Sequence, residues 1–147
     1  MLKKLNTMST KISIYRFPSI VYCLLFIVYC FPFAACHESL EDRAERTCRE
    51  ETHRNCPQRL GGEMVMDSIT FDRATRTIVH HVTLSGHLDT VTTAMKTSLG
   101  ANILKELQNQ TGNKIFKDAA INFRYTFNSQ RNGNILYDFT FKKEDYY

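Results

Sequence analysis

The chain has 147 residues, a length that predicts one folded domain and excludes a second enzyme-sized one. Lys and Arg number 19 against 15 Asp and Glu, yet Lys3, Lys4, Lys11 and Arg16 carry the whole surplus and all precede residue 36. Residues 36–147 are therefore charge-balanced and lack the clustered cations that nucleic-acid phosphates require, so no nucleic-acid partner is expected.

The four cations lead into Ile20 to Ala35, IVYCLLFIVYCFPFAA, an uncharged run interrupted by Pro32. It is shorter than the roughly 20 apolar residues of a membrane-spanning helix, and the basic-then-apolar order is that of an export signal. Residues 1–35 are predicted to be a signal peptide, with Met1 or Met8 as the start. Phe33-Ala34-Ala35-Cys36 resembles a bacterial lipobox: a bulky apolar residue, two small ones, then the cysteine at which the peptidase cuts. The resemblance implies lipidation of Cys36, whose thiol would carry diacylglycerol and palmitate-type acyl chains. Each buried methylene contributes about 0.8 kcal/mol, so several chains hold a domain at a membrane. His37 follows the cysteine where Asp would signal inner-membrane retention, which favours the outer membrane. The alternative is an ordinary secretory signal, with Cys36 buried or disulfide-bonded.

Residues 36–60 form a polar tether, CHESLEDRAERTCREETHRNCPQRL. Ser39 with Asp42 has the spacing of a helix start, and Asp42–Arg46, Glu45–Arg49 and Glu50–Arg54 are opposite charges at i,i+4. The pattern predicts a short solvated helix ending before Pro57, or a disordered stalk. Cys48 and Cys56 could bridge, closing a nine-residue loop worth roughly 2.6 kcal/mol. That needs the helix to end soon after Cys48, because eight helical residues span about 12 Å. Free thiols and pairing with a partner are the other outcomes. Cys48, His53, Cys56 and His37 are metal-binding residue types, but they lack the paired spacing of zinc modules, so no metal or cofactor is expected.

Residues 61–147 are predicted to be a small α+β domain. Residues 64–71 and 77–84 are β-branched runs flanking a turn-forming Asp72–Arg76, which predicts a hairpin. In the second run His80 shares a face with Ile78, Val82 and Leu84, while His81 points the other way. From Leu88 the period changes: Val91, Met95, Leu99, Ile103 and Leu107 recur every four residues, predicting an amphipathic helix to about Gln110. Asp89 or Thr90 would cap its start, and Gly100 inside it implies a bend or a close backbone contact. Ile121–Phe127 and Ile135–Phe141 alternate aromatic and polar residues around Asn132-Gly133, a second hairpin. The expected fold is a four-stranded antiparallel sheet in β-β-α-β-β order, with one long helix on its aromatic face.

Asn55-Cys56-Pro57, Met66–Asp72, Thr77–Leu84, a helix, Ile121–Tyr125, Asn132-Gly133-Asn134 and Phe139-Thr140-Phe141 together resemble small bacterial cell-envelope lipoproteins with an Asn-Cys-Pro element before a two-layer α+β domain. The resemblance implies envelope placement and that fold, and it implies no activity. The sequence has no nucleophile elbow, no H-E-x-x-H and no phosphate-cradling glycine loop. The leading expectation is thus a non-catalytic, membrane-tethered lipoprotein that binds another envelope protein as an assembly, inhibitory or immunity-type factor. A second is a small-ligand or envelope-polymer binding module using Asn122, Arg124, Asp138 and Thr140. A third, an envelope hydrolase, would rest on His87 and Asp89 as a base and its orienting carboxylate. Replacing the thiol (Cys36→Ser) should move the protein from the membrane to the soluble fraction of lysed cells; unchanged partitioning would refute acylation.

Overall fold

The computed structural model describes residues 38–147. The predicted signal peptide (1–35) and the predicted lipidation site Cys36 lie outside them, as does His37. The described elements are α1 (Leu40–Asn55), β1 (Gln58–Gly61), β2 (Met64–Asp72), β3 (Thr77–Leu84), a 3-10 turn (Gly86–Leu88), α2 (Thr93–Asn109), α3 (Lys114–Asp118), β4 (Asn122–Ser129), β5 (Ile135–Phe141) and α4 (Lys143–Tyr146). No helix among the described residues is long and apolar enough to cross a membrane.

The sheet has five strands in the order β1-β2-β3-β4-β5 and is mixed, which corrects the four-stranded antiparallel expectation. β1–β2, β2–β3 and β4–β5 are antiparallel, whereas β3 and β4 run parallel from Thr77↔Asn122 to Leu84↔Ser129. The parallel centre follows from the connection: α2 and α3 carry the chain back along the sheet before β4 starts, as parallel neighbours require. β1 is a short, exposed edge strand. At Asp67 a bulge shifts the register of β2, so Met64 and Met66, then Ile69 and Phe71, pack toward the helices.

α1 is not a stalk. Ser39 caps it by accepting from the Asp42 N–H at 3.0 Å, and the stripe Leu40, Ala44, Cys48 packs into the core with Ile69, Phe71 and Ile78. Its other faces are polar, so its hydrophobic signal is only three residues wide. β1 stops short of Ile69, leaving that part of β2 as a sheet edge; Thr52 Oγ1 covers it, accepting from the Ile69 N–H and donating to its carbonyl, each at 2.8 Å. Arg73 in the β2–β3 turn pairs with both Asp42 and Glu45, and Arg76 pairs with Glu41. Of the charge pairs expected along the helix, Glu45–Arg49 forms; Arg46 instead reaches Glu38 and Glu50.

α2 starts at Thr93, two or three residues later than a cap at Thr90 or Asp89 would place it. Thr92, and neither Asp89 nor Thr90, is its cap, accepting from the Met95 N–H at 3.2 Å. The preceding loop is held by β5: the buried Tyr137 hydroxyl donates to the Thr90 carbonyl at 2.8 Å and accepts from the Thr92 N–H at 2.9 Å. Val91 is consequently 61% exposed and leaves the predicted stripe. Gly100 serves close approach, since a Cβ there would lie 2.9 Å from the Phe139 ring. At the far end the buried Lys117 ammonium donates to the carbonyls of Leu107 and Gln108 at 2.9 and 3.2 Å, capping α2 with a cation where the helix dipole is negative. Tyr146 is buried as well, and its hydroxyl donates to the Ile121 carbonyl.

The core falls into two clusters. One gathers Ala44, Cys48, Ile78, Leu107, Phe116, Ile121, Phe123 and Tyr146; the other gathers Val82, Leu84, Phe127 and Tyr137. Tyr125 packs against both. Leu107 is 1% exposed at the centre of the first cluster, so Leu107→Ala should cost about 2–5 kcal/mol, read as a lower urea midpoint at unchanged slope. A midpoint within error of the wild type would show that α2 does not close this core.

Candidate functional site: a cleft between the helices

α1 packs on β2, while α2 lies toward β5 and α4 and sets Leu99, Ile103 and Leu107 against the core of the central strands, so a gap remains between the two helices on the β2 side. An open cleft of about 650 Å³ occupies the space, within the usual range of binding sites. Its floor is Met64, Met66 and Ile69 from β2, His80 and Val82 from β3, and Tyr125 and Phe127 from β4. Thr47 and Glu51 on α1 form one wall; Leu99, Ile103 and Glu106 on α2 form the other. Asn102, Gln110 and Asn113 add amides around the rim.

His80 and Tyr125 are cross-strand partners in the parallel pair, and their rings stack at 4.4 Å with 7° between planes. His80 Nδ1 is buried with no hydrogen-bond partner among the described residues. Burial drives the imidazole pKa down to about 4 against a small opposing contribution from the Arg124 backbone, so the ring is neutral at physiological pH. Burial, and then the nearby Glu106 carboxylate, raise the Tyr125 phenol above its usual range. The cleft is thus an apolar trough with a neutral imidazole and a protonated phenol at its centre and acids on its walls.

The residues singled out in the sequence take other positions. His87 Nδ1 sits 2.6 Å from Glu63, while Asp89, 1% exposed, accepts from the Arg131 backbone N–H and from its Nε at 3.2 and 3.0 Å. The Ser129 hydroxyl and then Arg131 hold the Asp89 carboxyl below the usual carboxylate range. The predicted His87–Asp89 dyad therefore does not form; Asp89 fastens the α2 approach to the β4–β5 turn. Arg124 and Asp138 neutralise each other in a two-pronged ion pair at 2.9 and 2.6 Å. Cys48 and Cys56 are free thiols, and α1 continues to Asn55, so the condition for a bridge between them is not met. Burial pushes the Cys48 thiol up to about 11, well away from thiolate reactivity. No group of three metal-ligating side chains occurs among the described residues. The cleft itself was missed: its one sequence signal is His80, a polar residue in the apolar row of β3.

Because folding depresses the His80 pKa from 6.5 to about 4, the unfolded chain binds the proton more readily, and stability must fall as pH drops through this window. The loss should reach about 2 kcal/mol by pH 5, and His80→Phe should remove that component from the pH profile of the urea midpoint. Superimposable profiles for the two proteins would show that the imidazole is freely hydrated.

Comparison with curated proteins finds no match to this sequence. Solved structures with a similar fold include a candidate secreted protein of Pseudomonas aeruginosa, 12% identical with a TM-score of 0.63, covering 74% of this chain and 93% of that one. A pilotin of the Vibrio vulnificus type 2 secretion system is 11% identical with a TM-score of 0.60, covering 74% and 92%. The type II secretion system pilotin of Vibrio cholerae is 15% identical with a TM-score of 0.54, covering 72% and 91%. At these identities the likeness is one of fold. At the sequence level, the family model described as Domain of unknown function (DUF8479) matches residues 39–137, from the cap of α1 into β5, and the chain belongs to that family.

Proposed function

We propose that the chain is a non-catalytic lipoprotein of the bacterial envelope, anchored through Cys36 with the outer membrane favoured, that docks another envelope protein in the cleft between α1 and α2. The observation that carries this reading is the cleft: an apolar trough between α1 and α2, with the half-buried Met64, Met66 and Ile69 of β2 along it. Two kinds of support stand beside it. The basic and apolar leader ending in Phe33-Ala34-Ala35-Cys36 supports export and tethering. The fold shared with two type II secretion pilotins supports a role in assembling an envelope machine over an inhibitory or immunity role.

The hydrolase reading loses its support because His87 and Asp89 have separate partners, Glu63 and Arg131. Small-ligand binding through Arg124 and Asp138 loses its support because those two groups satisfy each other.

A photo-crosslinking residue placed in the full chain tests the reading inside intact envelopes. At Ile103, on the cleft wall, it should give one discrete protein adduct; at Thr140, exposed on β5, it should give none. No adduct at either position, or equal adducts at both, would overturn docking in the cleft.

A further inference from the structure

The chemistry of the cleft narrows what can occupy it, given the docking role proposed above. Its floor is the middle of the sheet, where the strands pair with one another: β3 with β2 on one side and with β4 on the other. A segment laid on that floor therefore finds no free backbone N–H or carbonyl to pair with, and in an apolar trough unpaired peptide groups are costly. The occupant must satisfy its own backbone, and a helix is the element that does so. Of the free strand edges, β1 reaches the cleft only through Gln58 and Leu60, and β5 does not line it.

The walls set its charge. Glu51 on α1 and Glu106 on α2 both line the cleft, and no Lys or Arg lines it. Glu106 has no cationic partner among the described residues and acts on the Tyr125 phenol. An uncharged or acidic occupant would bury these carboxylates without compensation, whereas cations on both flanks would pair with them.

We infer that the cleft takes a basic amphipathic helix of an envelope protein, its apolar ridge on Met64, Met66 and Ile69 and its Lys or Arg residues meeting Glu51 and Glu106. Docked there, it would cover the half-buried side chains of β2 between α1 and α2. The apolar ridge supplies contact area, and the flanking cations select the partner and its orientation.

The test starts from the adduct formed at Ile103 in the full chain and sequences the attached segment by mass spectrometry. The inference predicts apolar residues at i, i+3, i+4 and i+7 flanked by Lys or Arg. It further predicts that Glu51→Gln/Glu106→Gln lowers adduct yield several-fold and that Glu51→Lys/Glu106→Lys lowers it at least tenfold, with melting curves unchanged. An acidic or non-amphipathic segment, a small-molecule adduct, or yields insensitive to both double variants would overturn this inference while an Ile103 protein adduct still supports docking. Absence of any Ile103 adduct would overturn the docking reading itself.

Discussion

The structure depends on how its two main helices are fastened to opposite sides of one sheet. α1 is held to β2 by the Thr52 hydroxyl on the Ile69 backbone and by Arg73 and Arg76 on its acidic first turns. α2 is held toward β5 by Tyr137 on the loop before it, by the close approach at Gly100, and by Lys117 at its last carbonyls. These attachments are polar or steric and therefore directional, so the helices do not slide together to close the gap between them. The cleft is the consequence, and the division of the core into two clusters joined at Tyr125 is the same fact seen from inside.

That arrangement explains why a small domain leaves so much apolar surface half-covered. Met64, Met66, Ile69, Leu99 and Ile103 are all only partly buried, although each lies in or beside a core cluster. Incomplete burial of this kind forgoes roughly 25 cal/mol for each Å² left wet, a loss that a binding partner recovers when it covers the trough. His80 belongs to the same account. An imidazole stacked on Tyr125 fills space as an aromatic would, with one buried ring nitrogen left unpaired.

Much of the framework was legible in the sequence because strand alternation is local. β3, β4 and β5 show their buried faces directly, and Asn132-Gly133 marks the turn between the last two, where Gly133 has a φ of +71°. Parts that depend on distant partners were not legible. β1 is four exposed residues without alternation, and only its pairing with β2 makes it a strand. Asp89 looks like a helix cap until Arg131, 42 residues later, claims it. α1 reads as solvated because Leu40, Ala44 and Cys48 are a narrow stripe among charges. The Met95–Leu107 stripe does predict a helix facing the sheet, but no spacing in it reveals that Leu99 and Ile103 border the cleft beside the core while Leu107 is enclosed.

The central claim is that the helical layer is open between α1 and α2, above β2. Methyl NMR of the full chain in micelles, with a freely diffusing paramagnetic agent in the water, measures this directly. The account predicts strong relaxation at the methyls of Met64, Met66 and Ile103 and little at Ile78 and Leu107. Equal protection of all five would mean that the helices close over the sheet, and would contradict it.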